Sequence, residues 1–110
     1  MNPYERRSAI MDILCREQHT TTARLAAAVG VTERTIRNDI TTLSLHYPIQ
    51  TIRGRYGGGV QLADWFNPQS HSLSSKQKLL LEHIQASLTD EELIVWNSIL
   101  IQFDLRERLL

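Results

Sequence analysis

The sequence predicts a mainly α-helical chain with one small β-hairpin, and three observations carry that prediction. Apolar residues recur at helical spacing over most of the chain, side chains suited to helix caps stand before those stretches, and four of the five glycines cluster between residues 54 and 59. At 110 residues the chain has room for one ordinary domain, or a small domain plus a helical appendage.

The first helix is set by Asn2, Pro3 and Glu5, which read as an N-cap, a proline at the first helical position and an acid in the first turn. Ile10, Ile13 and Leu14 give its inward face, and Glu17 to Thr20 reads as a polar break. Thr20 or Thr21 then caps a short second helix, TARLAAAV, which stops at Gly30, a residue suited to the left-handed position past a helix end. Only Val31 separates that glycine from Thr32, the expected cap of a third helix that Pro48 closes near residue 46. Two β-capable runs, IQTIR and VQLA, follow around the glycine-rich tip and read as a hairpin.

Residues 63 to 74, rich in Ser, Asn and Pro, read as a connector whose start Trp65 and Phe66 pin to the first module. Ser74 with Gln77, and Thr89 with Glu92, form two capping boxes and so start two more helices. The last is expected to run from Asp90 to near Leu109, about 30 Å. The chain thus divides into residues 1 to 62, a connector over 63 to 74, and a helical segment over 75 to 110.

Net charge is zero, but it is unevenly placed: residues 1 to 62 carry +3 and residues 63 to 110 carry −3. A basic working module and an acidic segment with another task are expected. The single cysteine, Cys15, excludes an internal disulfide and a cysteine-built zinc site within the chain. His19, His46, His71 and His83 share no metal-ligand spacing, so neither metal nor cofactor is expected. The apolar run from Leu93 to Ile101 is broken by Asn97 and Ser98 and falls short of a bilayer span, and no export signal precedes it. A cytoplasmic protein is the expectation. No nucleophile and base pair, phosphate loop or metal cluster points to an enzyme.

Two short helices joined by a glycine-containing turn make a helix-turn-helix, and the hairpin after the second makes it winged. Ala26, four residues before Gly30, lets the helices cross closely, while Leu25, Val29, Val31 and Ile36 supply a shared core. On the third helix Ile36, Ile40 and Leu43 face inward, leaving Arg34, Asn38 and Thr41 on the opposite face with Thr35 and Arg37 beside them. Arginine can read guanine and asparagine adenine in the major groove, while Thr32, Thr35 and the helix N-terminus suit phosphate oxygens. Arg53, Arg55 and Tyr56, beside the glycines, are expected to form wing contacts to the backbone or minor groove. Asp39 lies at the edge of the buried stripe, where an internal ion pair or a helix contact is expected. For Arg6 and Arg7, a contact to flanking DNA and an ordinary exposed pair both remain open.

The stretch LAAAVGVTERTIRNDITTL, with ERRSAIMDIL before it and GRYGGGVQL after it, resembles the winged helix-turn-helix domain of DeoR-type bacterial transcription regulators and the related type-11 modules. The resemblance implies a sequence-specific regulator of double-stranded DNA, acting as a repressor, with residues 32 to 46 as recognition helix and 53 to 59 as wing. The family's usual run is Thr-Ile-Arg, a second arginine and Asp; here Asn38 replaces the second arginine, so one contact is missing or changed. Fuller members carry a large sugar-phosphate-binding domain for which this chain has no room, so no effector is expected, and the blunt ending RERLL suits a piece of a longer regulator. Leu93, Trp96, Ile99, Leu100 and Phe103 are the expected surface of a homodimer. The competing reading is a winged-helix adaptor that binds protein and no specific DNA.

Overall fold

The computed structural model describes residues 1–54, 59–70, 72–103 and 105. They form five helices and a three-stranded antiparallel sheet, in two compact units, Met1–Gln69 and Ser70–Leu110.

In the first unit, α1 spans Pro3–Glu17. Its start follows from local chemistry: the Glu5 amide donates to Asn2 Oδ1 at 2.8 Å, the Asn2 amide group donates back to the Glu5 carboxylate at 2.9 Å, and Pro3 needs no partner for a missing N–H. It ends on Gln18 at φ 63°, a conformation that disfavours a residue with a Cβ. Three bonds hold Gln18 there: its amide donates to Leu14 O at 2.7 Å, its carbonyl accepts from Leu62 N at 3.0 Å, and its side chain donates to Asn67 Oδ1 at 2.9 Å.

The chain then enters β1, His19–Thr20, an element absent from the expected order, which had a polar break there. Two residues carry no periodicity to read. Their strand character comes from pairing with β3, Gly59–Leu62, where His19 faces Gln61 and Thr20 faces Val60. On the other side of β3 runs β2, Ile49–Ile52, in register from Ile49 opposite Leu62 to Ile52 opposite Gly59. The expected hairpin is therefore present, and β3 is the middle strand, with Val60 and Leu62 buried.

Between β1 and β2 lie α2, Thr22–Val29, and α3, Glu33–Leu43. Thr21 caps α2 by accepting from Arg24 N at 3.1 Å, and Gly30 closes it at φ 72°, with both Gly30 N and Val31 N donating to Ala26 O. Thr32 caps α3 by accepting from Thr35 N at 3.3 Å. That helix ends three residues earlier than Pro48 implied. The amides of Leu45 and His46 bond the carbonyls of Thr42 and Leu43, three residues back, so the chain tightens into a turn before the proline is reached. Ile10, Ile13 and Leu14 of α1, Leu25 and Ala26 of α2, Ile36, Ile40 and Leu43 of α3, and Val60 and Leu62 of β3 form the core. Phe66 packs against it, and Ala63 N bonds Pro48 O at 2.8 Å, so the start of the expected connector belongs to this unit.

The second unit holds α4, Ser75–Ala86, and α5, Asp90–Gln102, each opened by the capping box expected of it. Trp96 Nε1 donates to Gln85 Oε1 at 3.0 Å and so links the two helices. The last helix is shorter than expected: it closes at Gln102, with the Phe103 amide on Ile99 O, which makes it about 20 Å long. No residue of α4 is buried, and Leu100 is the buried residue of α5.

Candidate nucleic-acid interface

The candidate surface starts with the periodicity of α3. Ile36, Asp39, Ile40 and Leu43 are buried, and at 3.6 residues per turn this places Arg34, Arg37, Asn38 and Thr41 on the other side, where all four are exposed. Thr35 is half-buried at the margin. The side chains of Arg34, Arg37 and Asn38 make no hydrogen bond or ion pair with another described residue. Two guanidinium groups and an amide, together offering donors and one acceptor, thus stand unengaged on one helix face.

The threonines are partly committed. Thr41 Oγ1 donates to Arg37 O at 3.0 Å, so its hydroxyl retains only acceptor capacity for a ligand. Thr32 Oγ1 accepts from the Thr35 amide and shares one hydrogen with Thr35 Oγ1 at 3.2 Å, which leaves one hydroxyl hydrogen of that pair to offer. Thr22 Oγ1 donates to Glu33 Oε1 at 2.9 Å, tying the start of α2 to the first turn of α3.

Beside this face is a groove of about 500 Å3 lined by Thr22, Arg37, Thr51, Ile52, Arg53, Gly54 and Gly59. It brings together a cation from the helix and a cation from the end of β2. Arg53, like Arg37, is exposed and makes no bond with a described residue. The remaining expected wing contacts, Arg55 and Tyr56, lie outside the described residues. Gly59, at the root of the wing, has His19 laid over it: a Cβ placed there would stand 2.8 Å from His19 Nε2.

Asp39 answers to neither groove nor solvent. Its side chain is 1 % exposed, and its carboxylate accepts from Arg6 Nε at 2.5 Å, Arg6 Nη2 at 2.9 Å and Arg7 Nε at 3.1 Å. The expected internal ion pair is therefore present, and its partners are the two arginines whose role the sequence left open. The Arg6 guanidinium holds the Asp39 carboxyl below the usual carboxylate range; burial pushes the other way, and Arg7 adds to the lowering. Arg24 is engaged by Glu17, whose carboxyl it lowers, so Arg24 is committed to the α1–α2 contact.

Of the residues expected to pair two copies, Leu93 and Trp96 are half-buried and Leu100 is 6 % exposed within a single chain, whereas Ile99 and Phe103 are open. Ile94, Val95 and Ile101 are exposed beside them, as are Leu79 and Leu80 of α4. Among the described residues no cluster of histidine, cysteine or carboxylates could hold a metal ion, and no helix is long and apolar enough to cross a membrane.

A family model described as the DeoR-like helix-turn-helix domain matches residues 6–61, from within α1 to within β3. No curated protein and no solved structure matches the chain.

Proposed function

The chain belongs to the DeoR-like helix-turn-helix family, a family of DNA-binding regulator domains rather than enzymes, and on that premise we propose that it is a sequence-specific repressor acting as a homodimer. Helix α3 enters the major groove, with Arg34 and Asn38 on base edges and Arg37, Thr32 and Thr35 toward phosphates. Arg53, with Arg55 and Tyr56 of the wing, tracks the adjacent backbone or minor groove. Occupying the operator is sufficient for repression, and the site of action is the nucleoid in the cytoplasm.

The observation that supports this most is the unengaged outer face of α3, where Arg34, Arg37 and Asn38 are exposed and unpaired among the described residues while the inner face is locked into the core. Two arginines stand on that helix face, and a third, Arg53, lines the same groove as Arg37. Asn38, in place of the family's usual basic residue, exchanges a phosphate or guanine contact for one suited to adenine. Each good bidentate base contact discriminates by roughly 1–3 kcal/mol.

Pairing is supported by α5 and α4, which leave Ile94, Val95, Ile99, Ile101, Phe103, Leu79 and Leu80 in water. A single module with so few cations gains affinity when two copies meet half-sites about one helical turn apart. Selection of bound duplexes from a random pool tests both statements. An inverted repeat, lost when Arg34 is replaced by alanine, is the expected result. A chain that leaves heparin and DNA at low salt and enriches no sequence would instead be an adaptor.

A further inference from the structure

We propose that Asp39 is a positioning residue for DNA recognition, clamping the rotation of α3 against α1 through Arg6 and Arg7 so that Arg34 and Asn38 meet base edges in a single register. This rests on the DNA-reading assignment above and adds to it the device that sets its register.

Ile36, Ile40 and Leu43 hold α3 to the core through aliphatic contacts, which are non-directional and tolerate a small roll of the helix. Directional contacts do not. The Asp39 carboxylate takes two bonds from the fork of Arg6 and a third from Arg7, so both oxygens are fixed from α1. Asp39 is the immediate neighbour of Asn38 in the chain and follows Arg34 by five residues on the same short, 11-residue rod. The lever is long: an extended arginine places its guanidinium roughly 9 Å from a helix axis, so a roll of about 10° moves it roughly 1.5 Å. A bidentate base contact, confined to a few tenths of an ångström around its usual length, does not survive that displacement.

Affinity alone gives no reason for this arrangement. A carboxylate in the reading helix repels phosphate, and it engages two arginines that could otherwise have met DNA. Burial to 1 % exposure hides that charge from the duplex, while the Arg7 side chain stays 37 % exposed. The carboxylate is therefore placed where it can orient the helix and do little else to the ligand.

The test uses the full chain, a duplex selected by the unmodified protein from a random pool, and a scrambled duplex of equal length and composition. Dissociation constants for both are measured for the unmodified chain, Asp39→Asn and Arg6→Lys, well below each melting temperature and with the active fraction titrated. Arg6→Lys keeps the charge but lacks the fork, and it stands in should Asp39→Asn fail to fold. The expected result is a loss of preference for the selected duplex of at least about tenfold, with affinity for the scrambled duplex unchanged or raised, since Asp39→Asn also removes a negative charge and releases two arginines. Equal weakening on both duplexes, or an unchanged preference, would overturn the proposal. If the unmodified chain itself shows no preference, the DNA-reading assignment fails first, and the clamp falls with it.

Discussion

Replacing Asp39 by asparagine removes one charge and keeps the side chain's size, so its cost reports the ion pair rather than a cavity. Removing one partner of a fully buried pair costs about 3–5 kcal/mol, because the other charge is stranded. Here the stranded groups are arginines whose side chains are 16 % and 37 % exposed, and both can turn toward water. The expected loss is therefore lower, about 2–3 kcal/mol near neutral pH. For a unit of this size that lowers the melting temperature by roughly 10–20 °C.

The same substitution alters the acid limb of the stability curve. The folded carboxyl, lowered mainly by its bond from Arg6, releases its proton more readily than the unfolded one, which titrates at about 3.9. Its contribution is thus complete above that value and is lost as pH falls toward the folded one. Urea denaturation followed through Trp65 fluorescence in a Trp96→Phe background, near neutrality and near about pH 3, should show the gap between the two proteins closing in acid. A loss under about 0.5 kcal/mol, or two curves that stay parallel through the acid range, would refute the reasoning.

Three further outcomes are expected. Gly30→Ala should cost about 1–2 kcal/mol in urea denaturation through backbone strain alone, since φ is 72° and nothing lies within 4 Å of the added methyl group. Gly59→Ala should change stability in urea denaturation by less than about 0.5 kcal/mol, because the atom its methyl group meets at 2.8 Å is the tip of the exposed His19 side chain, which can turn aside, and the nearest backbone atom is at 3.5 Å. Arg37→Gln and Arg53→Gln should each flatten the dependence of log affinity on log salt by about 0.9, with little change in sequence preference.

Those features readable from sequence are the ones made by neighbours in the chain. Asn2 with Glu5, Thr21 with Arg24, Thr32 with Thr35, and the boxes Ser74–Gln77 and Thr89–Glu92 each act over three residues, and every one starts a helix at the expected place. Gly30 ends α2 for an equally local reason. The stripe of Ile36, Ile40 and Leu43 identified the buried side of α3 and, by subtraction, its outer face. What escaped depends on distance. The strand β1 exists only because β3, some forty residues on, lies alongside it. Asp39 announced a need for a partner by its position, but not that Arg6 and Arg7, more than thirty residues earlier, would supply it. The ends of α3 and α5 were overestimated because proline and apolar runs mark where a helix can no longer continue or is still favourable, whereas i to i+3 bonding closes α3 sooner.

The most direct measurement is a map of backbone amide shifts as the selected duplex is added to the isotope-labelled chain. The largest changes are expected between Thr32 and Thr41 and at Arg53 and Gly54. Shifts concentrated on Ile94 to Phe103, with the helix after Thr32 unmoved, would contradict the DNA-reading assignment.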